Sequence, residues 1–162
     1  MNFMSKENKK WFIPGNVPSS KNGRRWTGKY FIASKTVVNY RKNTKEYYQK
    51  YAPEFQQELQ KYKLPVKIGF TFIRGSRHKF DYINPAQTVQ DDMTAYEWII
   101  DDNADNINPM FYDYQYDKEN PGVYIEILKD NKLKSKDGKR SGNTKKDNTS
   151  SSSDEDKEPR SK

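Results

Sequence analysis

Phe80-Asp81-Tyr82-Ile83-Asn84-Pro85, followed by Ala86 to Ile100 and then Asp101-Asp102-Asn103, is the stretch whose reading decides the fold. Asn84-Pro85 is a helix start signal. An Asn side chain accepts from the N–H groups of a first turn, and a proline at the first helical position gives up no donor that the helix needs. Val89, Met93, Tyr96 and Ile100 recur at three- and four-residue steps, which predicts a helix over Ala86–Ile100 with one stripe facing a core. Asn84, Gln87, Asp91 and Trp98 then fall on roughly the opposite side. Acids stand before this helix (Asp81), on its far face (Asp91) and after it (Asp101, Asp102).

A helix of about 15 residues is about 22 Å long, so Asp81 and Asp102 meet only if the chain folds back or a strand carries one alongside the other. Asp81 and Asp91 are closer. Converging carboxylates in a chain with no cysteine and 1 histidine suit a hard divalent ion, Mg²⁺ with Mn²⁺ as the substitute. Such a site activates water and offsets the charge that develops on a phosphodiester under attack. The plainer reading of the same residues makes Asp81 a strand end, leaves Asp91 and Asp92 solvated, and turns Asp101-Asp102-Asn103 into a simple turn.

Outward from this stretch, Leu64 to Ile73 is the clearest strand, with Val66, Ile68, Phe70 and Phe72 alternating with polar or small residues. It leads to Asp81 through Arg74, Arg77, His78 and Lys79, cations suited to phosphates or to a solvated loop that balances the acids. The lone His78 reads as a surface residue. Met110–Tyr116 and Val123–Leu128 read as two further strands joined across Asp117–Gly122, giving a mixed sheet with helices packed on it. Upstream, Lys10–Ile13 is a short strand stopped by Pro14-Gly15. The loop from Asn16 to Gly28 carries Lys21, Asn22, Arg24 and Arg25 beside Trp26. Its N–H groups and cations fit a phosphate backbone and its tryptophan fits an unpaired base. The plain alternative is an ordinary loop with the tryptophan tucked into the core. Lys29–Ala33 pairs back as a hairpin strand, and Ser34 caps a helix over Lys35–Tyr51. Pro53 breaks it, and Glu54–Tyr62 forms a second short helix.

Over Asp81 to Asp102 the order of an Asp, an Asn three residues on, a helix bearing an acid, an aromatic-apolar run and Asp-Asp resembles the RusA family of Holliday junction resolvases. Asp81 matches the family's first acid, Asn84 the Asn after it, Asp91 the mid-helix acid and Asp101-Asp102 the terminal pair. The resemblance extends to Pro18-Ser19-Ser20-Lys21-Asn22, to Ser34 with Tyr40-Arg41, to Pro65-Val66-Lys67-Ile68, and to Gly122-Val123-Tyr124-Ile125-Glu126-Ile127. It spans about residues 10 to 129. Two positions depart from the family: its second acid is Ile83 here, and its first-turn lysine is Gln87.

The resemblance implies an α/β (α+β) domain over residues 1–129, acting as a Mg²⁺-dependent endonuclease on four-way or other branched DNA in recombination or replication. It implies Asp81 and Asp102 as metal-binding catalytic acids, Asp91 next to them, Asp101 as a local reserve, and Asn84 and Gln87 as supporting residues. DNA contacts fall to Lys21, Asn22, Arg24, Arg25, Lys35, Arg74 and Arg77. A homodimer follows, since two paired cuts match a junction's symmetry. The setting implied is a bacterial cytoplasm, with a phage or prophage source. Ile83 and Gln87 support an alternative from another class, a junction-binding protein with reduced or lost cleavage. A third reading is a basic nucleic-acid accessory factor whose acids are structural.

Composition agrees with a polyanionic partner: 30 Lys and Arg against 22 Asp and Glu give a net charge of +8. Solubility alone would also use such a surplus. No apolar run approaches the roughly 20 residues of a membrane span, and Lys6, Lys9 and Lys10 interrupt any apolar leader. Nucleophile-elbow, Walker-type and dinucleotide motifs are absent from the sequence. From Asp130 to Lys162, Lys, Ser, Asp, Asn and Gly dominate, and Leu133 is the one large apolar residue. That composition predicts a disordered tail that adds weak attraction for DNA, or a docking segment.

Overall fold

The computed structural model describes residues 7–19 and 24–129. Lys21, Asn22 and the predicted tail lie outside them. The fold is mixed α+β: two helices, a 5-stranded sheet and a separate 2-stranded sheet. In chain order the elements are β1 (Lys10–Pro14), β2 (Arg24–Trp26), β3 (Phe31–Ala33), α1 (Lys35–Leu59), β4 (Val66–Arg74), α2 (Ile83–Ala95), β5 (Ile107–Phe111), β6 (Gln115–Tyr116) and β7 (Gly122–Ile127).

The main sheet runs β1-β7-β4-β5, with β6 continuing past β5 along the same side of β4. β7 is antiparallel to both β1 and β4, whereas β5 and β6 run parallel to β4. The strands at Met110–Tyr116 and Val123–Leu128 in the sequence reading are therefore separated by β4. Parallel neighbours need a crossover, and α2 supplies it between β4 and β5. Both ends of the acidic stretch thus connect directly to the sheet.

One face of β4 presents Val66, Ile68, Phe70 and Phe72, which meet Ile125 and Ile127 of β7, Trp11 and Ile13 of β1, and Val89 and Met93 of α2 in a single core. Aromatic rings close it: Trp98 lies 4.7 Å from Phe55, 5.5 Å from Tyr48 and 6.3 Å from Trp11, centroid to centroid. Its Nε1 donates to the Tyr48 carbonyl at 2.8 Å.

The helices depart from the sequence expectations in three ways. α1 runs without a break from Lys35 to Leu59 with Pro53 inside it. An interior proline costs a helix about 3 kcal/mol, but Tyr48 and Phe55, on either side of it, are both fully buried. That burial outweighs the local defect. Secondly, α2 begins at Ile83, not Ala86, and Tyr82 caps it with no side-chain hydrogen bond. Asn84 lies inside the first turn, where its own N–H donates to the Asp81 carbonyl at 3.1 Å.

Thirdly, α2 stops at Ala95, five residues before the predicted Ile100. The Trp98 N–H reaches the Met93 carbonyl at 2.8 Å and the Glu97 N–H reaches that of Thr94 at 3.1 Å. This pair of bonds is a Schellman turn. Glu97 takes the left-handed conformation the turn requires, at φ 62°. Chain reversal there inverts the expected faces: Trp98 enters the core, and Ile100 is 83% exposed.

Candidate functional site

The Schellman turn folds the chain back along α2, and the acids are distributed by that reversal. Asp102 lines a groove of about 430 Å³ with Ile83, Ala86, Gln87 and Gln90 of α2 and Pro109 and Phe111 of β5. It has come back beside the first half of the helix that precedes it. Asp91 lines a larger cleft of about 620 Å³ with Asn84, Gln87 and Thr88 of α2, Val37 and Arg41 of α1, and Arg24 and Phe31–Ala33 of the β2–β3 hairpin. Gln87 borders both spaces. The expected shared face of Asn84, Gln87 and Asp91 is present; Trp98, expected on it too, is not.

Asp91 and Asp102 interact. Burial pushes the Asp91 carboxyl above its ordinary value, the negative charge of Asp102 pushes it further, and Arg41 and Arg24 pull it back. Asp81 stands apart, exposed at the entry to α2. It lines a neighbouring cleft of about 380 Å³ with Ser19, Arg74, Lys79, Phe80, Asn84 and Pro85. Asn84 is the residue common to the Asp81 and Asp91 clefts. Among the described residues no group of three or more His, Asp or Glu side chains is gathered as a metal site. Asp101 is engaged locally: its oxygens accept from the Asp102 N–H and from Asn103 Nδ2, each at 2.8 Å.

The cations take several roles. Arg24 faces Asp91 from the hairpin, where Trp26 is 55% exposed and packs on Phe31 at 4.9 Å. The tryptophan is therefore not tucked into the core. Arg25 and Lys35 are exposed on the hairpin and at the first residue of α1. Arg74 Nη1 donates to the Val17 carbonyl at 2.8 Å, and its guanidinium sits 4.6 Å over Phe80. Arg77 lies 4.0 Å over Tyr116. Arg74 is thus partly spent on holding the Val17–Ser19 segment against β4. Thr88 Oγ donates to the Pro18 carbonyl at 2.8 Å and ties the same segment to α2.

Asp92 escaped the sequence reading, and Arg41 entered it without a role at the site. Asp92, expected to be solvated, is 2% exposed. Its Oδ1 accepts from Arg41 Nε at 2.8 Å, and Arg41 Nη2 lies 3.8 Å from Asp91 Oδ2. Burial pushes the Asp92 carboxyl up to about 6, against the pull of Arg41. A signal was available: Asp92 falls three residues after Val89, on the apolar stripe, and an acid there calls for a buried cation.

A carboxylate whose charge is disfavoured by burial and by a neighbouring acid, as at Asp91, suits a hard cation held by one or two acids with water and substrate completing its shell. Asp91 and Asp102 offer carboxylate oxygens of the kind Mg²⁺ takes, as does Asp81 in the neighbouring cleft. No helix among the described residues is long and apolar enough to cross a membrane. Compared with known proteins, the chain matches no family model and no curated protein.

Proposed function

We propose that the protein is a structure-specific endonuclease that hydrolyses phosphodiesters in four-way or other branched DNA, in the manner of the RusA-type resolvases its sequence resembles. One observation carries the reading: the fold-back after α2 returns Asp102 to a groove bordered by Gln87, which also lines the cleft that Asp91 shares with Arg24 and Arg41. Acids and cations thus border one open surface. A phosphodiester accompanied by a divalent ion would complement both.

Asp91 and Asp102 would hold Mg²⁺ or Mn²⁺, whose charge would neutralise the developing phosphorane and ease deprotonation of water. The chain's own residues bind and orient. Arg24 and Arg25, on the hairpin, attract the DNA backbone, with Trp26 exposed beside them for an unpaired base. Asn84 and Gln87 offer amides to phosphate oxygens along the helix face. Lys79 and Arg77 extend the basic margin towards Asp81, which belongs to the entrance of the site. In hydrolysis a water oxygen bonds to phosphorus and one P–O ester bond breaks, the departing oxygen taking a proton. Two-fold junctions take two such sites, hence a homodimer.

A second reading is favoured by Ile83. This isoleucine is 71% exposed in the Asp102 groove, at the position where the resembled family has an acid. A binding protein that retains the junction surface without efficient cleavage has the same architecture. The deciding experiment incubates a labelled four-way junction with the protein in Mg²⁺, in Mn²⁺ and in EDTA, beside Asp102→Asn. Paired, metal-dependent nicks that fall at least about 100-fold in the variant are expected. Tight junction binding with no nicks in either ion establishes the binding reading instead.

A further inference from the structure

Arg41 is the only basic residue of α1 that lines the Asp91 cleft, and it is held unlike any other cation described in this protein. Its Nε is fixed by a carboxylate 2% exposed to solvent, whereas 43% of the Arg41 side chain is exposed and the residue lines the cleft. The second oxygen of Asp92 has no hydrogen-bond partner among the described residues. Asp92 therefore gives its one strong bond to orienting Arg41. Burying an ionised carboxylate is unfavourable unless it is paired, so the chain keeps an expensive group where its visible effect is to aim a guanidinium. The direction of aim is towards the cleft: Nη2 stands 3.8 Å from Asp91 Oδ2, within ion-pair range but too far for a hydrogen bond. A guanidinium anchored through Nε keeps its two Nη groups as a planar fork, the geometry that takes two oxygens of a phosphate.

We propose that Arg41 is the residue that grips the phosphate beside Asp91, as a bidentate donor to its non-bridging oxygens, and that Asp92 is the positioning residue that sets its angle. This rests on the proposed phosphodiester substrate. Arg41 then supplies, from α1, positive charge at the helix face where Gln87 brings none. Catalytic acid and phosphate clamp would come from different helices, joined by the Arg41–Asp92 pair.

The test compares Arg41→Gln, Arg41→Lys, Asp92→Asn and the double variant Arg41→Gln/Asp92→Asn on a labelled four-way junction. Single-turnover cleavage in Mg²⁺ and equilibrium binding in EDTA across a salt series are both read. Arg41→Gln leaves Asp92 buried without its cation, at a cost to folding, whereas the double variant removes both charges. It is the folding-safe arm.

The double variant should cleave at least about 100-fold more slowly, as for loss of one transition-state donor. Its binding should show a salt slope shallower by about one phosphate contact. Arg41→Lys should keep that slope, since the charge remains, yet still lose rate, since the fork is gone. Asp92→Asn should likewise keep the slope and lose rate, which a merely structural role would not produce. Wild-type rate and slope in a folded double variant would overturn the proposal while leaving the nuclease reading intact. A wild-type protein that binds without cutting, yet loses the slope on substitution, keeps Arg41 as a phosphate contact and overturns the nuclease reading. Failure of the wild type to bind or cut any branched DNA overturns both.

Discussion

At the scale of single residues, the acids of this chain differ by what surrounds each of them. Asp101 is spent on a turn, Asp91 is pushed up by burial and by the charge of Asp102, and Asp92 is sealed against Arg41. Asp91 and Asp102 were legible from order along the chain, because acids flanking a helix stand out by type. Asp92 was not, because Asp91-Asp92 reads as one hydrophilic pair until the helix stripe is tracked residue by residue. Asp92 also carries a consequence for stability. Its carboxyl is raised to about 6 by burial, from an ordinary value of 3.8. Between those values the folded chain holds a proton that the unfolded chain has released. The contribution of this group is therefore fully present below about pH 4 and is lost as pH rises through about 6, a change of about 3 kcal/mol. Denaturant unfolding in EDTA from pH 4 to 7 should show wild type losing stability relative to Asp92→Asn, with the difference level above about pH 6.5. A difference that grows in favour of wild type as pH rises would mean that Arg41 dominates and that the acid is stabilised in its charged form.

At the scale of elements, β1, β4 and β7 were readable because core residues recur at every second position, as at Trp11 and Ile13, Val66, Ile68, Phe70 and Phe72, and Val123, Ile125 and Ile127. The helix ends were not. An expected stop signal after α2 would be glycine, the residue that adopts a positive φ at little cost. This chain has Glu97 there, with Gln56 Nε2 donating to its carbonyl. The stop is enforced from outside the helix, by burial of Trp98 and by α1. The continuity of α1 through Pro53 has the same origin, core contacts overriding a local breaker. Strain at Glu97 makes a prediction that needs no ligand. A left-handed non-glycine residue costs about 1–2 kcal/mol, so Glu97→Gly should stabilise the fold by about 1 kcal/mol after the greater freedom of glycine in the unfolded chain is subtracted. The readout is the denaturant midpoint at unchanged m-value. A loss of stability would place more weight on the Glu97 side chain than on its backbone.

For the whole molecule, one residue joins what the elements bring. Trp98 sits between the turn that ends α2 and the Asp101–Asp102 segment, with its ring against Trp11 of β1 and Phe55 of α1 and its N–H on the Tyr48 carbonyl of α1. α1 carries Arg41 and the returning chain carries Asp102, so the spacing of the site is set through this indole. The pattern of apolar residues pointed instead to Ile100 as the core residue at this end, since its spacing from Tyr96 is helical; the reversal at Glu97 exchanged the two. Substituting each separates these accounts. Trp98→Phe keeps most of the apolar contact but deletes the donor to a buried carbonyl, and with the smaller ring should cost about 2–4 kcal/mol. Ile100→Ser, at a position open to solvent, should change stability by no more than about 0.5 kcal/mol. Urea unfolding of both proteins reads the difference directly. If Ile100→Ser proves the costlier change, α2 continues to Ile100 in solution, and Asp102 then stands a full helix length from the Asn84 turn. The acids could no longer share a surface with Arg24 and Arg41, and the proposed site would have to be rebuilt around Asp81.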